Sequence, residues 1–387
     1  MTSNNRRSMA QIFALSLPVF CAGVISLANA AVPVPKPPSV EAKAYILVDN
    51  ASGRTLGESS ADQHMEPASL TKLMTAYAVF TALAEKRLRL DDNVTISERA
   101  WHAEGSRTFV QVGTQIPAEV LLKGMIVQSG NDASIALAEK VAGTEDAFAQ
   151  LMNEYAKRLG MKNTNFVNST GLPDPKHYST ARDLATLSRA IIRDFPAYYK
   201  WYSLHEFVWN GIKQQNRNGL LERDSTVDGI KTGHTDTAGY CLITSALRGG
   251  MRLVSVVLGS QSMKAREDAS AALLNYGFTF YETLQIKKRG EIVLKPHVYK
   301  GAESSVAAVT NADIFVTVGR GAGAAVHTAA SVTDPLLAPL TTNNSIGELT
   351  VSDGTDVLVK LPLYPAKAVA EGGFWTRFTD SISLWFH

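Results

Sequence analysis

Between Lys43 and Glu58 two short apolar runs flank a turn: K-A-Y-I-L-V-D, then N-A-S-G, then R-T-L-G-E. This predicts a β-hairpin that turns near Gly53. From Pro67 or Ala68 the apolar spacing becomes that of a helix, through P-A-S-L-T-K-L-M-T-A-Y-A-V-F-T-A-L-A. Proline is tolerated in a first helical turn, where its missing N–H would be unpaired anyway. Further helices are predicted over Ala118–Val127, Asn131–Ala142 and Thr144–Leu159. The last opens with acidic residues at its positive end and stops at Gly160. Ser179 or Thr180 caps A-R-D-L-A-T-L-S-R-A-I-I-R-D-F, which Pro196 closes.

The period then shortens. V-D-G-I-K-T-G, G-Y-C-L-I-T-S-A-L and M-R-L-V-S-V-V-L-G read as strands, the last two joined by R-G-G at 248–250. Lys264–Tyr281 returns to a helical pattern. Helices grouped between strands that pair locally predict an α+β domain, an antiparallel sheet packed with helices, and not a Rossmann alternation. From Leu284 the texture is short strands and turn residues (G-E-I-V-L-K, V-A-A-V, D-I-F-V-T-V, G-E-L-T-V, T-D-V-L-V-K-L-P-L-Y-P), a small all-β domain reaching about Ala370.

Beyond Gly372-Gly373 the texture changes once more. Phe374, Trp375, Phe378, Ile382, Trp385 and Phe386 recur at roughly helical spacing. The segment is too short to span a bilayer and suits a membrane-anchor helix lying amphipathically in the interface, where Trp is favoured. A terminal helix docked on the protein's own core has the same pattern. The predicted division is a leader at 1–30, a proline-rich extended lead-in at 31–42, a larger domain at 43–283, the β domain at 284–370, and the terminal helix at 371–387.

Composition narrows the classes. With 45% hydrophobic and 19% charged residues the chain is an ordinary globular protein, and a net charge of +2 excludes a general nucleic-acid binder. Arg6 and Arg7, the apolar run Ile12–Leu27 and Ala28-Asn29-Ala30 form a secretory leader with cleavage expected after Ala30. Of two cysteines, Cys21 leaves with the leader, and Phe20 before it argues against lipidation. Cys241 lies in an apolar run and is expected to be a buried small hydrophobe, so no internal disulfide supports the exported fold.

Three short motifs carry candidate chemistry. Ser69-x-x-Lys72 is a tetrad expected by chance on the order of once in such a chain. Its place at a helix start is more telling: Lys72 lies on the face of Ser69 and, if its pKa is lowered, can take the hydroxyl proton as Ser69 attacks. Ser129-Gly130-Asn131 sits between two helices, where Ser129 can relay a proton and Asn131 can hold Lys72 and a substrate amide. Lys231-Thr232-Gly233 lies on a strand that, at a sheet edge, can pair with an extended peptide. Thr232 can then bind a carboxylate, Lys231 supplies positive potential, and Gly233 allows close approach. No H-E-x-x-H, paired-histidine or G-x-S-x-G pattern occurs, which argues against zinc or a Ser-His-Asp elbow.

In this order the motifs resemble those of the serine β-lactamase and penicillin-binding protein superfamily, with Gly130 where its second motif usually has Asp. More narrowly, the chain resembles the low-molecular-mass D-alanyl-D-alanine carboxypeptidases, peptidase family S11. The likeness rests on E-P-A-S-L-T-K-L-M-T, V-Q-S-G-N-D-A, F-V-N-S-T-G-L-P-D-P, S-T-A-R-D-L-A, Q-N-R-N-G-L-L, V-D-G-I-K-T-G-H-T-D-T-A-G-Y and K-A-R-E-D-A. The resemblance implies that Ser69 is the nucleophile and Lys72 its base. It also implies that the backbone N–H groups of Ser69 and His234 form the oxyanion hole, and that Arg217 helps to hold a terminal carboxylate.

Peptidoglycan stem peptides are then the substrate and β-lactams covalent inhibitors. No cofactor or metal is implied; the leader and the terminal helix together make the outer face of the cytoplasmic membrane the expected place of action. A β-lactamase of the same fold, a D,D-endopeptidase and a non-catalytic wall-binding protein are the rival readings.

Overall fold

The computed structural model describes Met1 and residues 33–386; the expected leader with Cys21, its cleavage point and His387 lie outside the described residues. The first sheet comprises β1 (Ala44–Asp49), β2 (Thr55–Ser59), β3 (Val227–Thr235), β4 (Gly239–Arg248) and β5 (Met251–Ser260). They are ordered β2-β1-β5-β4-β3, every pair antiparallel, with β3 at the edge. All six residues of β1 are buried. Ala44, Ile46 and Val48 face one apolar cluster; Tyr45 and Leu47 face another. A sheet covered on both faces has no polar side, which is why its strands read as continuous apolar runs.

Covering one face are α1 (Lys72–Ala84), α2 (Ala118–Val127), α3 (Asn131–Ala142), α4 (Glu145–Leu159) and α5 (Ala181–Asp194); α6 (Met263–Phe280) covers the other. Their ends follow local chemistry. Thr144, Thr180 and Ser262 accept N-cap hydrogen bonds from Ala147, Asp183 and Ala265, and Gly160 closes α4 in the left-handed conformation. Only Tyr77, Thr81 and Ala84 of α1 escape full burial, so this helix is apolar nearly all round and runs through the core.

The C-terminal β domain contains β6 (Tyr281–Lys287), β7 (Ile292–Leu294), β8 (Ala308–Val309), β9 (Ile314–Gly319), β10 (Val326–Val332), β11 (Gly347–Asp353) and β12 (Asp356–Pro365). β6 pairs with β9, and the rest form a sheet ordered β7-β8-β12-β11-β10. The sequence pattern does not reveal β10, V-H-T-A-A-S-V. It is a sheet edge with no buried residue, so nothing imposes an alternation on it. Helix α7 (Phe374–Ser383) follows, with the backbone N–H of Lys300 donating to Asp380. None of its residues is buried, and Phe374, Trp375, Phe378, Ile382, Trp385 and Phe386 all face solvent. No helix among the described residues is long and apolar enough to cross a membrane.

A buried carboxylate joins the two domains. Asp49, fully buried at the end of β1, accepts from Ser52 N (2.7 Å), Ser52 Oγ (2.8 Å) and Thr283 Oγ1 (2.7 Å). Because Ser52 gives its proton to Asp49, Thr317 Oγ1 at 2.6 Å acts as donor to Ser52. Replacing Asp49→Ala leaves three donors without an acceptor. It is expected to lower stability by about 2–3 kcal/mol, read as a reduced urea midpoint, and to expose the segment near Thr283 to protease.

Candidate active site

Ser69 lies on one turn of 3-10 helix, Ala68–Thr71, and the α-helix itself starts at Lys72. This corrects the expected α-helical start at Pro67 or Ala68. The correction matters for geometry, because residues three apart eclipse in a 3-10 turn. Lys72 Nζ sits 3.0 Å from Ser69 Oγ and donates to the Thr170 carbonyl at 2.6 Å. Lys72 is 2% exposed. Burial, and then the nearby Arg217 cation, pull its pKa down to about 7, against the opposing pull of Asp132 and Glu145. A neutral amine there still donates to Thr170 and turns its lone pair to the Ser69 hydroxyl.

Ser129 has a φ of 68°, and its hydroxyl is buried with no hydrogen-bond partner among the described residues. It therefore has an unspent donor and acceptor facing the site. Asn131 opens α3 but does not hold Lys72 as expected. Its Nδ2 donates to the Glu104 carbonyl at 2.6 Å, and its Oδ1 is buried and unpartnered. Gly130 replaces the usual acid for a steric reason: a Cβ there would meet Thr108 Oγ1 at 2.1 Å and Thr108 N at 2.9 Å. The neighbouring Asp132, fully buried, accepts from the backbone N–H groups of Thr108 and Phe109 at 2.7 and 2.8 Å. It so holds the 105–110 loop over the cleft.

The third motif lies on edge strand β3, as its chemistry requires. Gly233 would place a Cβ 3.1 Å from the Pro67 carbonyl, so its lack of a side chain lets the Ser69 turn approach the strand. Lys231 is 3% exposed and donates to the Thr232 carbonyl at 3.1 Å. Burial first, then Lys72, Arg217 and Arg266, push its pKa well below the usual lysine range. The expected positive potential is thus shared among crowded cations, and an arriving carboxylate would restore the proton.

Ser69, Ser129, Arg217, Thr232, Gly233 and His234 line one cleft of about 600 Å³ together with Gly105, Ser106, Tyr240, Met263 and Arg266. Among the described residues no carboxylate lines it. Lys72, Asn131 and Lys231 are buried residues of the same motifs and do not line this cleft. Cys241, on β4, is buried and its thiol is pushed up to about 11 by that burial.

Sequence reasoning left several supporting groups without a role. Arg266 crosslinks the site, donating to the carbonyls of Gly233 (3.2 Å) and Arg217 (3.4 Å). Glu145, read only as a helix-end acid, accepts from Ser169 N and Oγ at 2.9 and 2.7 Å. Asn168 Oδ1 takes the Gly171 N–H at 2.7 Å. Gly171, at φ +82°, lies so close to the Ser69 turn that a Cβ would stand 1.8 Å from the Ala68 carbonyl. These bonds shape the segment whose Thr170 carbonyl meets Lys72. The only signal for it was the run F-V-N-S-T-G-L-P-D-P, which does not show what the segment touches. Among the described residues no group of three or more His, Cys, Asp or Glu is placed to hold a metal.

The family model for D-alanyl-D-alanine carboxypeptidase, peptidase S11, matches residues 31–262. The model for the C-terminal domain of penicillin-binding protein 5 matches residues 281–371. The D-alanyl-D-alanine carboxypeptidase DacA of Escherichia coli is 40% identical over 362 residues, covering 92% of this chain and 90% of the relative. The crystal structure of penicillin-binding protein 5 from Haemophilus influenzae superposes with a TM-score of 0.83 at 41% identity, covering 87% of this chain and 100% of that one. Penicillin-binding protein D2 of Listeria monocytogenes, solved with ampicillin bound, gives 0.58 at 32% identity over 63% of this chain and 100% of that one. The chain belongs to the D-alanyl-D-alanine carboxypeptidases of peptidase family S11, the penicillin-binding proteins that join an α+β catalytic domain to a C-terminal β domain.

Proposed function

We propose that this carboxypeptidase works through a Ser69 acyl-enzyme on stem peptides that end in D-Ala-D-Ala. The observation that carries the reading is the contact of a buried, depressed Lys72 with the Ser69 hydroxyl, 3.0 Å away. Neutral Lys72 takes the Ser69 proton as Oγ bonds to the penultimate carbonyl carbon. The developing oxyanion is held by the backbone N–H groups of Ser69 and His234, where losing one such donor typically costs ~3 kcal/mol. Ser129 passes a proton to the leaving amine, the terminal D-Ala departs, and water then hydrolyses the ester.

Substrate binding follows from the charges. The peptide lies along edge strand β3, and its terminal carboxylate meets Arg217, Thr232 and the potential of Lys231 in a cleft that no acid among the described residues lines. A β-lactam presents an equivalent carboxylate and a strained amide, so it acylates Ser69. Fast turnover of penicillin would point to a β-lactamase instead, and cleavage of cross-linked dimers to an endopeptidase. The exposed aromatic residues of α7 and its flank hold the enzyme on the periplasmic face of the cytoplasmic membrane after export on the leader.

Labelled penicillin is expected to attach to the wild-type protein at Ser69 and to leave Ser69→Ala unlabelled; mass spectrometry of the tryptic adduct checks this. The rate of acylation should rise with pH through about 7, because only neutral Lys72 accepts the proton. At pH 6 it should be about one tenth of its plateau, and a flat profile from pH 5 to 9 would exclude Lys72 as the base. Truncation before Phe374 should release the enzyme from phospholipid vesicles in a flotation assay while D-Ala release from a soluble pentapeptide continues.

A further inference from the structure

His177 does not line the cleft; it is 3% exposed, with its ring edge-on to Phe166 at 5.6 Å. Nδ1 lies 3.2 Å from the Val167 N–H and Nε2 lies 2.8 Å from Thr71 Oγ1. A backbone N–H can only donate, so Nδ1 carries the lone pair and the ring proton sits on Nε2, pointing at Thr71. Burial pulls the imidazole down to about 4, Asp174 opposing and Lys72 adding to the shift. This neutral tautomer therefore prevails at neutral pH.

The two ends of that bridge belong to the two segments that position Lys72. Thr71 closes the Ser69 turn and immediately precedes Lys72. Val167 opens the segment that ends in the Thr170 carbonyl, 2.6 Å from Lys72 Nζ. Thr75, one turn further along α1, donates to the Ser169 carbonyl at 2.6 Å. Lys72 and Thr75 thus bond to this segment directly, and Thr71 reaches it through His177. His177 closes the end nearest the nucleophile.

We propose that His177 is a positioning residue for Lys72: it locks the 167–171 segment onto the Ser69 turn, so that the Thr170 carbonyl holds Nζ beside the Ser69 hydroxyl and water stays out. The proposal rests on the reading of Lys72 as the base. It requires no change in the charges around Lys72, which come from Arg217, Asp132 and Glu145, with Lys231 also nearby.

The test measures acylation by a fluorescent penicillin from pH 5 to 10 in wild type, His177→Asn, His177→Gln, Thr71→Val and Lys72→Ala. Asparagine can supply the acceptor for Val167 and glutamine the donor for Thr71, but neither supplies both. Each of these two, and Thr71→Val, should lower the acylation step about tenfold, with less than a twofold change in non-covalent affinity. Their acidic limb should also move to higher pH, because a loosened, rehydrated ammonium gives up its proton less readily. Thermal midpoints report folding. If the His177 variants do not fold, Thr71→Val, which removes only the hydroxyl, decides the matter.

Folded variants with wild-type rates overturn the proposal, and so does a lowered rate with an unmoved limb. Undiminished acylation by Lys72→Ala would overturn the base reading itself and this proposal with it. Inactive Lys72→Ala beside normal His177 and Thr71 variants would overturn the proposal alone.

Discussion

A buried lysine without a counter-ion is the constraint around which this structure is arranged. Lys72 is 2% exposed, no salt bridge to it is made among the described residues, and its polar contacts are the Ser69 hydroxyl and a carbonyl. Burying a charge in that way is costly, and the group answers by shedding its proton near neutrality. A lysine that does so beside a serine is a base. The cost of holding it there is met by α1, which is packed on nearly all sides, and by the Thr170 segment that presses against its start.

The rest of the catalytic domain keeps that arrangement in register. Asp132 and Glu145 are the two carboxylates that offset part of the depression at Lys72, yet each is engaged with backbone N–H groups of a loop. They moderate the lysine through distance while holding the 105–110 and 167–171 segments in place. Neither lines the cleft, so an anionic peptide terminus meets Arg217 and Thr232 without competition from an acid. The β domain is tied to the same framework through Asp49, which ends the strand next to the sheet's centre.

Legibility in the sequence followed how local each determinant is. The helices over Ala118–Val127 and Asn131–Ala142 fall where the pattern puts them, because their apolar spacing and their ends are local. The Ser69 turn reads as α-helix, since residues three apart share a face in either form; the structure makes it a 3-10 turn lying close against β3 and Gly171. Strand β10 is silent because it is exposed on an edge. Asn131 has the composition of a substrate ligand, yet its Nδ2 donates to the carbonyl of Glu104, a partner 27 residues away that no motif names, and only its Oδ1 is left unpartnered.

The motifs Ser69-x-x-Lys72, Ser129-Gly130-Asn131 and Lys231-Thr232-Gly233 determined by themselves which groups can meet and in what chemical class, because reactive side chains at short spacing on predictable elements need no long-range information. What only the tertiary structure decided is the state of those groups. The depression of Lys72, the idle hydroxyl of Ser129 and the bridge through His177 all arise from chain segments tens of residues apart enclosing one small volume. Desolvation and Coulomb forces depend on distance in space, which the order of residues along the chain does not carry.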